Sequence, residues 1–138
     1  MATPTIENYL ERIYELTRKT GFTRPTDIAR ALEVSQPCVT QMAKRLKDEG
    51  FVEYERYRDI ALTQKGERLG KDVQVRHQKL TGFLSMIGVE DQKRIWRDVE
   101  GIEHHVSPVT MKGIRGLVQF FADRPEARRM LAAHRRGR

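Results

Sequence analysis

The chain has 138 residues, of which 38% are hydrophobic and 33% charged, a balance that suits one globular domain or one small domain with an appendage. No run approaches the roughly 20 apolar residues of a membrane span, and no short apolar core follows a basic N-terminus as in a secretory signal, so the expected location is the cytoplasm. The formal charge of +7 is uneven: residues 1–71 carry a surplus of +2 and residues 72–138 one of +5, with five of the latter's basic residues inside 128–138.

In chain order, Thr3-Pro4 makes a helix opening, an N-cap followed by proline at the first helical position. Ile6, Leu10, Ile13, Tyr14 and Leu16 then form an apolar stripe that predicts helix up to Gly21. A short helix is predicted over residues 26–32 and a third from the N-cap Ser35 to about Glu49, with Pro37 tolerated in its first turn and Gly50 closing it. Residues 51–55 and 60–62 read as two short strands, with residues 56–59 as the hairpin tip. From Thr63 the pattern turns wholly helical: a long helix to about Ile87, a break at Gly88, then helices over residues 91–105, 107–122 and from Pro125 to about His134. Composition divides the chain near residue 63, giving expected segments 1–63 and 64–138. The basic residues of 128–138 either touch DNA or belong to a solvated, disordered tail, the tail being the first expectation.

The predicted helices at 26–32 and 36–47, joined by the tight turn Glu33-Val34-Ser35, make a helix-turn-helix, and the following strands complete a winged helix-turn-helix. A recognition helix lays its N-terminal side chains on base edges in the major groove. Gln36, Pro37, Cys38, Thr40 and Gln41 occupy that position, and glutamine can bond adenine through two hydrogen bonds. Lys44, Arg45 and Lys47 suit phosphates, and Arg56 and Arg58 on the wing tip suit a neighbouring groove or the backbone. The bland alternative is a helix-turn-helix used only for packing. Cys38, the single cysteine, excludes an internal disulfide and any multi-thiolate zinc site within one chain; it reads as a small contact residue before a redox sensor.

In the second half, Glu100, Glu103 and His104 stand at i, i+3 and i+4, on one face of the predicted helix. Two carboxylates and an imidazole at that spacing suit a hard or borderline divalent cation. On the first helix Asn8, Glu11 and Glu15 have helical spacing, and His77 lies inside the long helix. Such groups can converge between three helices, as in metal-holding bundles. Taken singly, His77 also reads as a surface histidine and the glutamates as solvated charges. His105 points about 100° away from His104. Gly101 would admit a close helix neighbour. An oxygen-rich, thiolate-free set suits Mn(II), while imidazole also admits Fe, Co, Ni and Zn.

From Thr3-Pro4 through the helix-turn-helix, Tyr54-Glu55-Arg56-Tyr57-Arg58, Arg76-His77 and the run Asp98-Val99-Glu100-Gly101-Ile102-Glu103-His104-His105, the chain resembles the manganese-dependent branch of the DtxR family of metalloregulators. The resemblance implies a mainly α fold, an N-terminal winged helix-turn-helix followed by an all-helical dimerisation domain, acting as a homodimer. It implies a binuclear Mn(II) site and repression of manganese-uptake genes through double-stranded operator DNA when metal is bound. The SH3-like third domain of larger relatives is not expected. The family's metal ligands fall on Glu11, His77, Glu100, Glu103 and His104; the sixth, an aspartate in the manganese branch, is Asn8 here. Asparagine keeps an oxygen donor but removes a charge, so the resemblance carries an expectation of weaker filling of one metal position or altered selectivity. The iron-responsive branch has Met and Cys in this site, where this chain has Asn8 and Glu103.

The expected mechanism is a ligand-gated equilibrium, in which metal ties helix one to the helices carrying His77 and Glu100 to His104. It thereby holds the two recognition helices of the dimer about 34 Å apart, one turn of DNA. Acid should oppose metal binding, because imidazole must be neutral to coordinate. The rivals are a regulator tuned to another metal such as Fe(II) or Zn(II), a metal-independent winged-helix regulator, and a di-metal enzyme. The last is disfavoured because every ligand is committed to bridging and no nucleophile or base is left over.

Overall fold

The computed structural model describes residues 3–55 and 59–137, which fall into two compact units, 1–74 and 75–138. The first unit begins with α1 (Pro4–Thr17), where Thr3 Oγ1 accepts a hydrogen bond from the Ile6 amide at 3.2 Å. Ile6, Tyr9, Leu10 and Ile13 bury one face of this helix, as the 3.6-residue period demands. The helix stops at Thr17, short of the expected Gly21, whose φ of +86° lies in the left-handed region. After α2 (Pro25–Leu32), Glu33 turns the chain at φ 56°, and Ser35 caps α3 (Gln36–Asp48) by accepting from the Cys38 amide at 3.3 Å. β1 (Val52–Tyr54) and β2 (Ile60–Leu62) pair antiparallel, Tyr54 opposite Ile60. The wing tip, with Arg56 and Arg58, lies outside the described residues.

Thr23 adds a bridge to this sheet that the sequence analysis missed, exchanging hydrogen bonds of 2.8 and 2.7 Å with Ile60. A single paired residue has no periodicity to betray it. Ile28, Val39, Leu46, Phe51 and Ile60 join the buried face of α1 in one apolar core. Burial of each such side chain contributes about 1.5–3 kcal/mol before entropy is counted.

α4 (Gln64–Met86) is anchored to this unit at its start. The Thr63 hydroxyl donates to Gly50 O at 2.6 Å and accepts from the Gly66 amide, and Lys65 Nζ donates to Glu49 O at 2.9 Å. At Gly70 a Cβ would stand 2.6 Å from Leu10 O and 2.9 Å from Tyr14 Cβ, so the helix packs almost backbone to backbone on α1. The first turns of α4 therefore pack with residues 1–63, although their composition is that of the helical half.

The second unit holds the rest of α4 with α5 (Gln92–Ile102), α6 (Pro108–Ala122) and α7 (Pro125–Arg136). Gly88, at φ +107°, ends α4 in a left-handed turn, with the Val89 amide donating to Leu84 O at 3.0 Å. Asp91 and Ser107 cap α5 and α6. Leu80, Leu84, Ile95, Val99 and Met111 form a smaller core. Three expectations are corrected. α5 ends at Ile102 instead of His105, because the chain tightens and the His105 amide donates to Ile102 O, three residues back. A Cβ on Gly101 would meet nothing within 4 Å among the described residues, so that glycine serves no close helix approach. Residues 128–136 belong to α7, as the predicted helix from Pro125 to about His134 has it, and not to a disordered tail. No helix among the described residues is long and apolar enough to cross a membrane.

Candidate metal centre and nucleic-acid interface

Gln36, Pro37 and Cys38 stand exposed in the first turn of α3, and Gln41 and Lys44 follow on its exposed surface. Val39, Ala43 and Leu46 turn inward, so burial of one helical stripe leaves the polar stripe outward. Thr40 is half-buried, and its hydroxyl donates to Gln36 O at 3.1 Å, which leaves its methyl for apolar contact. Of the predicted phosphate-binding side chains, Lys44 and Lys47 are exposed, while Arg45 lies 3.5 Å from Glu49 on the same helix. Tyr9 lies buried in the core beneath this helix; burial raises its hydroxyl pKa above the usual tyrosine value, and charge on Cys38 would raise it further.

In the second unit, α4 contributes His77 and the end of α5 contributes Glu100, Glu103 and His104. His77 Nδ1 lies 3.1 Å from Glu103 Oε2 and 3.8 Å from Glu100 Oε1. Ligand atoms of all three residues fall within 4.8 Å of one another. Glu103 is fully buried, and its Oε1 lies 3.2 Å from His104 Nε2, on a histidine whose side chain is only 4% exposed. That approach is off the hydrogen-bond direction, and Glu103 Oε1 accepts no hydrogen bond among the described residues. A buried carboxylate oxygen left this way is costly unless a cation completes it. The donors are oxygens and imidazole nitrogens with no thiolate, which fits Mn(II) and, through the imidazoles, the later divalent metals.

Helix termination places Glu103 and His104, whereas His77 and Glu100 stand within α4 and α5. The Glu103 amide still bonds to Val99 O at 2.8 Å, which keeps the carboxylate one turn beyond Val99 and directed inward, and His104 lies in the turn that follows. Asn8 and Glu11 lie three apart on α1 in the first unit, both half-buried. Glu15 is exposed and paired with Arg12 at 2.9 Å, so its carboxylate is engaged on the helix surface. Glu7 is buried on the same helix, although in sequence it reads as an ordinary first-turn acid.

Residues 1–60 match the model described as "Iron dependent repressor, N-terminal DNA binding domain", and residues 63–135 match "Iron dependent repressor, metal binding and dimerisation domain". The chain belongs to the iron-dependent repressor family. Similar members include the HTH-type transcriptional regulator MntR of Lysinibacillus sphaericus, 46% identical over 133 residues that cover 96% of this chain and 95% of the relative. The regulator of the same name from Bacillus subtilis is 45% identical, covering 89% of this chain and 86% of the relative. Among solved structures, the manganese regulator SloR superposes with a TM-score of 0.74 at 29% identity over 86% of this chain. ScaR with bound Zn2+ superposes with a TM-score of 0.70 at 28% identity over the same share. The chain spans about half the length of those two solved chains, 55% of each. Family membership makes this a DNA-binding transcriptional regulator with a metal-binding and dimerisation domain, and not an enzyme.

Proposed function

We propose that this chain is a homodimeric repressor that grips operator DNA when Mn(II) is bound. The observation that carries the reading is the buried Glu103 carboxylate facing His77 and His104 in a chain whose other half is a winged helix-turn-helix. Glu100, Glu103, His77 and His104 would supply the metal's donors from the second unit, and Glu11 with the Asn8 amide oxygen would supply them from α1. Because α1 belongs to the DNA-binding unit, ligation of Glu11 favours whichever arrangement of recognition helices the metal binds best. Gln36, Pro37, Cys38, Thr40 and Gln41 read bases, while Lys44 with Arg56 and Arg58 holds phosphates. Residues 1–63 form the DNA-reading segment and residues 64–138 the metal-binding, dimerising one; the protein works in the cytoplasm beside its operator.

Asn8 supports a second reading within the same function. The six donors carry three carboxylates, which leaves two divalent ions under-neutralised, so one position fills weakly or the metal preference shifts toward Fe(II) or Zn(II). Operator binding measured at fixed salt across Mn(II), Fe(II), Co(II) and Zn(II), with a chelator control, tests the function. Tighter binding with Mn(II), lost on chelation, is the expected result; DNA affinity indifferent to chelator overturns the reading. Calorimetric metal counting beside Asn8→Asp tests the asparagine: identical stoichiometry and affinity overturn its role.

A further inference from the structure

α4 and α5 meet at a corner that a side chain from the far end of the chain closes. Met86 is the last residue of α4, and its carbonyl has no onward helical partner. Arg135, near the end of α7, donates to that carbonyl through Nη1 at 2.7 Å, across 49 residues of sequence. The same side chain crosses Gly88 closely: a Cβ there would stand 2.6 Å from Nη1 and 3.1 Å from both Cδ and Cζ. Gly88 is thus fixed twice, by its φ of +107° and by the arginine resting on it. Other faces of α7 remain open, with none of its residues fully buried, so this bond is a specific attachment and not a by-product of deep packing.

We infer that Arg135 is a positioning residue for the metal centre, latching the α4–α5 corner so that His77 and the Glu100–Glu103 pair keep their separation; this rests on the function proposed above. The reasoning is a lever. His77 lies nine residues before Met86 and Glu100 eight after Gln92, so the ligands stand about 12–14 Å from the corner at 1.5 Å per residue. Opening the corner by only about 5° shifts them by roughly 1 Å, whereas metal–ligand distances tolerate about 0.2 Å. The small core of Leu80, Leu84, Ile95, Val99 and Met111 resists that opening between the helices, and the latch resists it at the corner. A basic residue in a segment that reads as solvated charge thereby acts on chemistry more than 30 residues away in sequence.

The test is Mn(II) affinity by chelator competition for the wild-type chain, Arg135→Ala and Arg135→Lys, alongside the melting temperature of each metal-free protein. The expected result is about fivefold weaker Mn(II) binding for Arg135→Ala, partial recovery with lysine, and unchanged operator affinity once Mn(II) saturates. A lysine keeps one donor for Met86 O but not the close approach of the guanidinium to Gly88. Should Arg135→Ala also lower the metal-free melting temperature, Arg128→Ala on the same helix supplies the control, with no expected change in either quantity. Mn(II) binding by Arg135→Ala within twofold of wild type overturns the latch alone. A wild-type chain that binds no Mn(II) overturns the proposed function and the latch together, so the two failures are distinguishable.

Discussion

The two units are built for different degrees of self-sufficiency. The first closes a continuous apolar core from α1, α2, α3 and the wing, and exposes two large hydrophobic side chains among the described residues, Phe22 and Val34. The second has a smaller core, admits a buried glutamate and exposes seven: Ile87, Trp96, Ile102, Val109, Leu117, Phe120 and Met130. A recognition helix must be held rigidly by its own core to read bases. A dimerising, metal-binding unit leaves part of its folding free energy to be supplied by a partner and a cation. The contrast in buried acids is one of degree: Glu7 keeps 8% exposure in the first unit, whereas Glu103 is wholly enclosed in the second.

The largest effect that would break this contrast is in the first core. Leu46→Ala should cost about 2–5 kcal/mol by cavity formation, seen as a lower denaturation midpoint with or without metal. Glu103→Gln should behave in the opposite way. Removing the buried charge leaves the metal-free protein as stable or about 1 kcal/mol more so, because the cost of desolvating that carboxylate disappears. The same change should abolish the stabilisation that Mn(II) at about 100 times its Kd supplies, about 2.7 kcal/mol. Thermal melts with and without Mn(II) check both; a Mn(II)-induced stabilisation equal to wild type would refute the ligand role. Next, the combined Trp96→Ala and Phe120→Ala change should raise the dimer dissociation constant about tenfold, while Phe22→Ala leaves it unchanged, by sedimentation equilibrium. Ser35→Ala should cost about 1 kcal/mol through loss of the α3 cap, the same in both metal states. Smallest of all, the raised Tyr9 pKa favours the neutral phenol in the folded state. Its contribution is full below the usual tyrosine value and is lost as pH rises from there through the raised folded-state value, so alkaline melts of Tyr9→Phe should decline less steeply than wild type.

Local signals located most of the elements. Pro4, Pro25, Pro37, Pro108 and Pro125 each stand in the first turn of a helix, and Gly50 and Gly88, at positive φ, follow the ends of α3 and α4. Such signals act within a few residues, so sequence alone suffices to read them. The helix-turn-helix followed from spacing, and the candidate ligands His77, Glu100, Glu103 and His104 from residue chemistry.

What sequence could not supply were decisions made by contact. Whether α5 stops at Ile102 or His105 depends on a turn that bonds three residues back, a choice that periodicity does not record. That Glu103 is buried while Glu100 is half-exposed, although both are helix-face glutamates in sequence, follows from the neighbours each meets. The attachment of Arg135 to Met86 spans 49 positions. Sequence patterns report short-range preferences of the backbone and the burial of a face; desolvation and long-range pairing arise only when distant segments share one volume.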